Sequence, residues 1–325
     1  MSDTVTKGKL SLLQLVYPPI SNQEAVWLQN DPEVEEELRA SDFYMIAGRK
    51  EAKFGNIVAD PDTHLVTFTM SVGELSDEVR IQPNDLPAMA ERELDAYWLE
   101  AGDKFLRFWD GPVKEEGSEV VDWFTTEKLL YERSRNKLGI AGLDKFREMM
   151  TYDLLYVGIA KKGDSFDRLF NQGHKARTDI LANEPQRLRG ARVTDEIYLF
   201  LFHVSPLIIS TFDFGHEFTD KDLSGEYEQK PIVADAEKAF VHLLKPDYNL
   251  VKFNNYPMGD DGLYGSDYTR YVYSIAENIE FNTSHGRFRG GWDSKLQLVS
   301  NAADAIFVEG DTVKLLVSGV DFPSE

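Results

Sequence analysis

The chain has 325 residues, 42% of them hydrophobic and 28% charged, which is enough to bury about two cores of ordinary size and too apolar for a wholly disordered chain. It contains no cysteine, which excludes disulfides, thiolate nucleophiles and Cys-ligated metal centres. The formal net charge of −21 argues against coating nucleic acid or anionic membrane by bulk electrostatics.

No apolar run approaches the ~20 residues of a membrane span, and the first residues (MSDTVTKGKL) lack a signal-peptide core, so a cytoplasmic protein is expected. Residues 10–17 (LSLLQLVY) predict a buried strand, and residues 31–39 an acidic helical turn or two. The stretches 43–58 and 64–72 predict strands around the turn Asp60-Pro61-Asp62. Residues 88–108 carry apolar positions at helical spacing, and GPVKEEGSE (111–119) has the composition of a linker. Residues 126–150 predict helix with a break at Gly139 and Gly142.

A strand follows at 151–160 (TYDLLYVGIA), then a helix over 165–181 capped by Asp164 or Ser165. EIYLFLFHV (196–204) is a continuous apolar strand, expected to be covered on both faces. DAEKAFVHLLKP (235–246) predicts a short helix with Asp235 as cap and Pro246 as stop. Strands are expected near 268–282 and 305–318, the latter around Glu309-Gly310-Asp311. The fold class is therefore α/β (α+β), with an acidic mixed unit over 1–115, an α/β core over 120–255 and a β-rich extension over 256–325.

Charge is unevenly spread. The first hundred residues hold 19 acidic and 8 basic side chains, whereas residues 161–192 hold 8 basic and 4 acidic ones. The basic segment is either a solvated helical face or a locally basic groove on an acidic body. Within it, Arg168 lies off the Phe166/Leu169/Phe170 stripe, so it either grips a phosphate oxygen or pairs with Asp164. Lys175 and Arg177 either contact phosphates or are solvated. Asn171-Gln172-Gly173 is suited to end one short helix and start another, which would re-aim His174; otherwise His174 is a partly buried neighbour of Phe170. His203 and His242 are expected in the core.

Tyr156 and Gly158 end a strand, where glycine lets backbone or a phosphate come close. Glu237 shares a stripe with Phe240, Val241 and Leu244, and a carboxylate there costs several kcal/mol unless paired or metal-bound. The alternative is a first-turn residue that favours the helix dipole. Asn249 follows the helix stop, a common turn position.

Taken in order, a Tyr-Val-Gly strand, an Arg-bearing helix, a second strand and a Glu helix ending in Pro246-Asp247-Tyr248-Asn249 resemble the second half of the GIY-YIG nuclease motif, from residue 150 to 250. The resemblance implies a small mixed sheet flanked by helices and divalent-metal-dependent hydrolysis of phosphodiester bonds, in DNA rather than RNA, as in restriction or phage defence. It implies Mg²⁺ or Mn²⁺ on Glu237 and charge neutralisation by Arg168. Tyr156 or His174 would orient or deprotonate water, and Gly158, Lys175, Arg177 and Asn249 would line the substrate side. The family's first strand, with its GIY-like segment, would fall around Lys145 and Phe146, inside an apparent helix. Tyr131 and Tyr152 are the nearest tyrosines and have the wrong spacing. Either that strand comes from elsewhere in the chain, or the proton-transfer arrangement has changed, or the unit is an inactive relic. The competing class is a non-catalytic interaction protein whose acidic N-terminal region binds a basic partner or mimics nucleic acid.

Overall fold

The computed structural model describes residues 6–92, 96–160, 164–171, 173–212 and 227–324. The N-terminal strand β1 (Thr6–Leu15) leads through the short β2 (Ile20–Ser21) into helices α1 (Asn22–Leu28) and α2 (Pro32–Arg39), followed by β3 (Phe43–Gly48). Ser21 and Glu24 form a reciprocal capping box at the start of α1, and Asp31 caps α2 ahead of Pro32. A meander of β4 (Ala52–Ala59), β5 (Val66–Val72) and β6 (Leu75–Ile81) precedes the single turn α3 (Pro87–Glu91). A three-stranded antiparallel sheet comes next, built from β7 (Trp98–Ala101), β8 (Phe105–Trp109) and β9 (Val120–Thr125). After it come α4 (Thr126–Ser134), β10 (Ile140–Gly142), α5 (Phe146–Met149) and β11 (Thr151–Ile159).

A π-helical turn (Asp167–Asn171), α6 (Lys175–Asn183) and α7 (Val193–Glu196) lead to the long β12 (Ile197–Thr211). The helix α8 (Gln229–Leu244) follows, and the chain closes with β13 (Tyr268–Ile275), β14 (Glu280–Thr283), β15 (Gly286–Arg289), β16 (Trp292–Asp293), β17 (Leu298–Val299), β18 (Ala305–Glu309) and β19 (Thr312–Leu316). The main sheet runs β15-β14-β11-β3-β12-β1-β13-β18-β19, with β2 added beside β12. It takes strands from each of the segments 1–115, 120–255 and 256–325, so hydrogen-bonded pairing crosses both boundaries expected between units.

β3 and the first six residues of β12 are buried throughout because both faces are covered. Along β3, Phe43, Met45 and Ala47 enter one core with Phe200, Phe202 and the Ala236 and Phe240 side of α8. Tyr44 and Ile46 enter a second core with Leu199, Leu201, Phe166, Leu169 and Ile180. β12 matches its expected continuous burial over Ile197–Phe202, but His203 turns outward and faces Asp42 at 3.4 Å, rather than joining the core. His242 is partly buried, its Nδ1 2.9 Å from the Phe253 carbonyl.

Four local expectations change. The described residues of 88–108 form one helical turn and then β7 and β8, because Leu106 and Phe108 alternate inward across the hairpin. Residues 111–119 connect β8 to β9 instead of linking domains. The segment 165–181 is two elements broken at Gly173, whose φ of +68° suits glycine. α8 begins at Gln229, with Pro231 in its first turn, so Asp235 is an interior residue and not a cap. Asp235 is fully buried and accepts hydrogen bonds from the hydroxyls of Tyr256 (2.7 Å) and Tyr273 (2.6 Å) and from the Leu263 amide (2.8 Å).

At the C-terminal end of β3, Arg49 is locked between the rings of Tyr152 and Tyr198, 4.7 and 4.8 Å from their centroids. It donates to both oxygens of the buried Glu127 at 2.8 and 2.9 Å, and to the Tyr152 hydroxyl at 2.9 Å. This knot ties α4 to β3, β11 and β12. Among the described residues no helix is long and apolar enough to cross a membrane.

Candidate functional site

The site is built on the antiparallel pair β3 and β11. Leu154 lies opposite Ala47 and Tyr156 opposite Ile46, so Leu155 is an extra residue, a bulge. The consequence is positional. An unbroken register would pair Tyr156 with Met45 and send it to the other face; the bulge returns it to the face of Tyr44. Gly158 then lies directly opposite Tyr44 on that same face. A Cβ on Gly158 would sit 2.6 Å from the Tyr44 hydroxyl and 2.6 Å from Tyr156 Cε1, so the bare glycine is what lets the two phenols lean together. Their rings stack at 6.1 Å, inclined by 23°.

His174 completes the cluster, edge-on to both rings at 5.5 and 5.3 Å. It caps α6, its Nδ1 accepting the Arg177 amide at 3.0 Å. The ring proton therefore resides on Nε2, which donates to the Tyr44 hydroxyl oxygen at 2.8 Å. The neighbouring Tyr44 hydroxyl favours Tyr156 ionisation. His174 is only 3% exposed, and burial together with the charges of Arg168 and Arg177 lowers its pKa to about 4, so it is neutral near pH 7. Burial pushes both tyrosines upward, Tyr44 most strongly. Arg168 opposes that rise at both hydroxyls, whereas the Glu237 charge adds to it at both. Two groups of opposite sign thus bear on one pair of phenols.

Arg168 stands exposed on the π-helical turn, which is held from α2, while its charge bears on the phenols. Arg39 donates to Asp164 at 2.7 Å and Asp167 at 3.1 Å and lies 4.7 Å over the Phe166 ring. Asp164, the expected ion-pair partner of Arg168, is bonded by Arg39 and caps the Asp167 amide at 2.8 Å. Glu237 is half-buried in the third turn of α8, away from the helix N-terminus, so the first-turn dipole account does not apply to it. Asn249 is buried and brackets Val157, accepting from its amide at 2.9 Å and donating to its carbonyl at 2.8 Å. It therefore fixes the backbone between Tyr156 and Gly158 without reaching the open side.

The basic segment divides. Arg168, Lys175, Arg189 and Arg192 are exposed. Arg177, expected to face substrate, turns inward to the Asn22 side chain (2.6 Å) and the Leu169 carbonyl (2.8 Å), with its guanidinium 5.1 Å over Phe170. Arg187 pairs with Glu184 and Asp153. Lys161 and Lys162 lie outside the described residues.

Tyr44 is the residue that sequence reasoning missed. It sits in DFYMIAG, an ordinary buried strand in one dimension, more than a hundred residues before Tyr156. Among the described residues no cluster of three or more His, Asp or Glu side chains is arranged to hold a metal ion. No family model, curated protein or solved structure matches the chain.

Proposed function

We propose that Tyr44, Tyr156, His174, Arg168 and Glu237 form a phosphodiesterase site of the GIY-YIG kind, acting on DNA with Mg²⁺ or Mn²⁺. The observation that carries this reading is the meeting of two tyrosines from adjacent antiparallel strands, with Arg168 and Glu237 acting on the same hydroxyls. β3 then serves as the first strand that was expected near Lys145, and the β4–α5 segment is an insertion between the two halves of the motif. The donor set fits a hard cation: magnesium commonly takes one or two carboxylates and fills its remaining positions with water and phosphate oxygens. Glu237 is the residue to hold it, and an ion bound there would supply Lewis-acid stabilisation of the leaving oxygen.

The remaining work belongs to the side chains. Tyr156 is only half-buried whereas Tyr44 is 1% exposed, so Tyr156 is the phenol that orients the attacking water. Tyr44 and the neutral His174 hold Tyr156 in place. The exposed Arg168 neutralises charge that grows on the phosphoryl oxygens in the transition state. Lys175, exposed at the first position of α6, is placed to contact a flanking phosphate, while Asn249 and Gly158 shape the floor. The test is incubation of plasmid and single-stranded DNA with the protein in Mg²⁺, Mn²⁺ or EDTA. Cleavage that needs the metal and disappears in Glu237→Gln supports the assignment. An absence of cleavage with either metal on both DNA forms overturns it and leaves the non-catalytic interaction protein.

A further inference from the structure

A cavity of about 620 Å³ lies away from the tyrosine cluster, beside the Arg49–Glu127 knot. Its walls come from α1, the β8–β9 hairpin and the start of α4. That volume suits a small organic molecule and far exceeds an ion. Five large aromatic side chains contribute to the lining, namely Trp27, Phe105, Trp109, Trp123 and Tyr198. Trp27 is 65% exposed, an unusual position for an indole, and the Trp109 indole N–H is buried with no hydrogen-bond partner.

The charged lining is acidic: Glu24, Asp31, Glu51, Asp103, Glu127 and Asp195 stand against Lys104, Arg107 and Lys114. The cations already have partners. Lys104 bridges Glu51 (2.5 Å) and Asp195 (3.0 Å), and Arg107 and Lys114 both turn to Glu100, at 3.2 and 2.6 Å. An anionic ligand would therefore meet net negative charge and no uncommitted cation among the described residues. Two aromatic walls already show how they receive positive charge. Lys128 Nζ lies 4.2 Å from the Trp123 centroid, and the Arg107 guanidinium lies 4.7 Å from that of Phe105. Trp27 and Trp109 carry no cation among the described residues.

We propose that this cavity binds a small organic ammonium ion with an apolar body, its charge set against the aromatic faces and the surplus carboxylates. Metal ions are disfavoured, because indole faces attract weakly hydrated organic cations and offer no donor atoms to a hard ion. The proposal is independent of the phosphodiesterase reading and is tested by binding alone.

The full chain is titrated with benzyltrimethylammonium, phenylmethanesulfonate and benzyl alcohol, which share a ring and differ in charge, while tryptophan fluorescence and calorimetric heat are followed. Saturable binding of benzyltrimethylammonium, roughly tenfold tighter than of the other two, is the expected result. Trp27→Ala removes an exposed side chain, and Asp103→Asn removes an exposed carboxylate from the lining. Each should weaken the cation roughly fivefold and leave the melting temperature unchanged. Equal or tighter binding of the sulfonate or the alcohol, no saturable binding of the cation, or full affinity in both variants would overturn the proposal.

Discussion

Replacement of Gly158 by alanine probes the packing of the two tyrosines most directly. The new Cβ would stand 2.6 Å from the Tyr44 hydroxyl, 2.7 Å from Tyr44 Cζ and 2.6 Å from Tyr156 Cε1. These distances lie roughly 0.8 Å inside ordinary contact, deep on the repulsive side of the van der Waals well. Relief requires a ring to move, yet Tyr44 is bonded to His174 and packed in a core where it is 1% exposed. Overpacking of this kind costs about 1–3 kcal/mol. Gly286→Ala is the matched control: it is also a strand glycine, but nothing lies within 4 Å of its Cβ position, so no steric loss is expected there. The assays are urea unfolding followed by circular dichroism, and cleavage of plasmid DNA. Gly158→Ala should lose about 1–3 kcal/mol and, through displaced phenols, about 10²-fold in cleavage rate. A Gly158→Ala protein as stable as its Gly286→Ala counterpart would refute the claim that the phenols converge over a bare glycine.

Other expectations follow from the same geometry. Glu237→Gln should abolish metal-dependent cleavage of plasmid DNA; a fully active variant removes Glu237 from the site. His174, with a pKa of about 4 against an ordinary 6.5, binds its proton more readily when unfolded, so stability is fully present above pH 6.5 and falls as pH drops toward 4. Its contribution is roughly 2–3 kcal/mol, and His174→Gln should flatten that limb of a stability–pH curve measured by urea titration. Glu127→Gln leaves Arg49 buried without its counter-charge and should cost about 3–5 kcal/mol in the same unfolding assay, whereas an exposed pair such as Arg270–Glu309 should cost under about 1 kcal/mol.

What the sequence made legible was local. Tyr156, Gly158, Arg168, His174, Glu237 and Asn249 lie within one stretch of chain, where strand, helix and turn patterns could be followed in order. The break at Gly173 that aims His174 was readable from the Asn-Gln-Gly run, because glycine tolerates the positive φ found there. Tyr44 was not legible, since it reaches Tyr156 only through strand pairing, and pairing partners leave no mark in spacing. The Leu155 bulge was equally hidden, because one unpaired residue changes no periodicity within its own strand. At 88–108 the apolar residues satisfied a helical spacing and a two-residue alternation at once; the hairpin partners of β7 and β8 decided between them. Glu237 was read near a helix start because Asp235 is a good cap, but Pro231 and the apolar Ile232 and Val233 carry the helix further back.

The adjacency of β3 and β11 also bears on how the molecule comes to be folded. Gly48 pairs with Asp153, so two neighbouring strands are joined by a segment whose described residues hold seven strands and three α-helices. Closing a featureless loop of that length costs about 3 kcal/mol more entropy than closing a four-residue hairpin turn. The cost shrinks if the intervening strands assemble first, because the β10–β6 pairing draws Gly142 to Val79 and shortens the path between the two ends. Assembly should then be hierarchical, with the inserted sheet as the early unit and the tyrosine pair as a late one. The tyrosine pair would be acquired after most native secondary structure, and a refolding experiment should recover circular dichroism before any tyrosine-dependent signal.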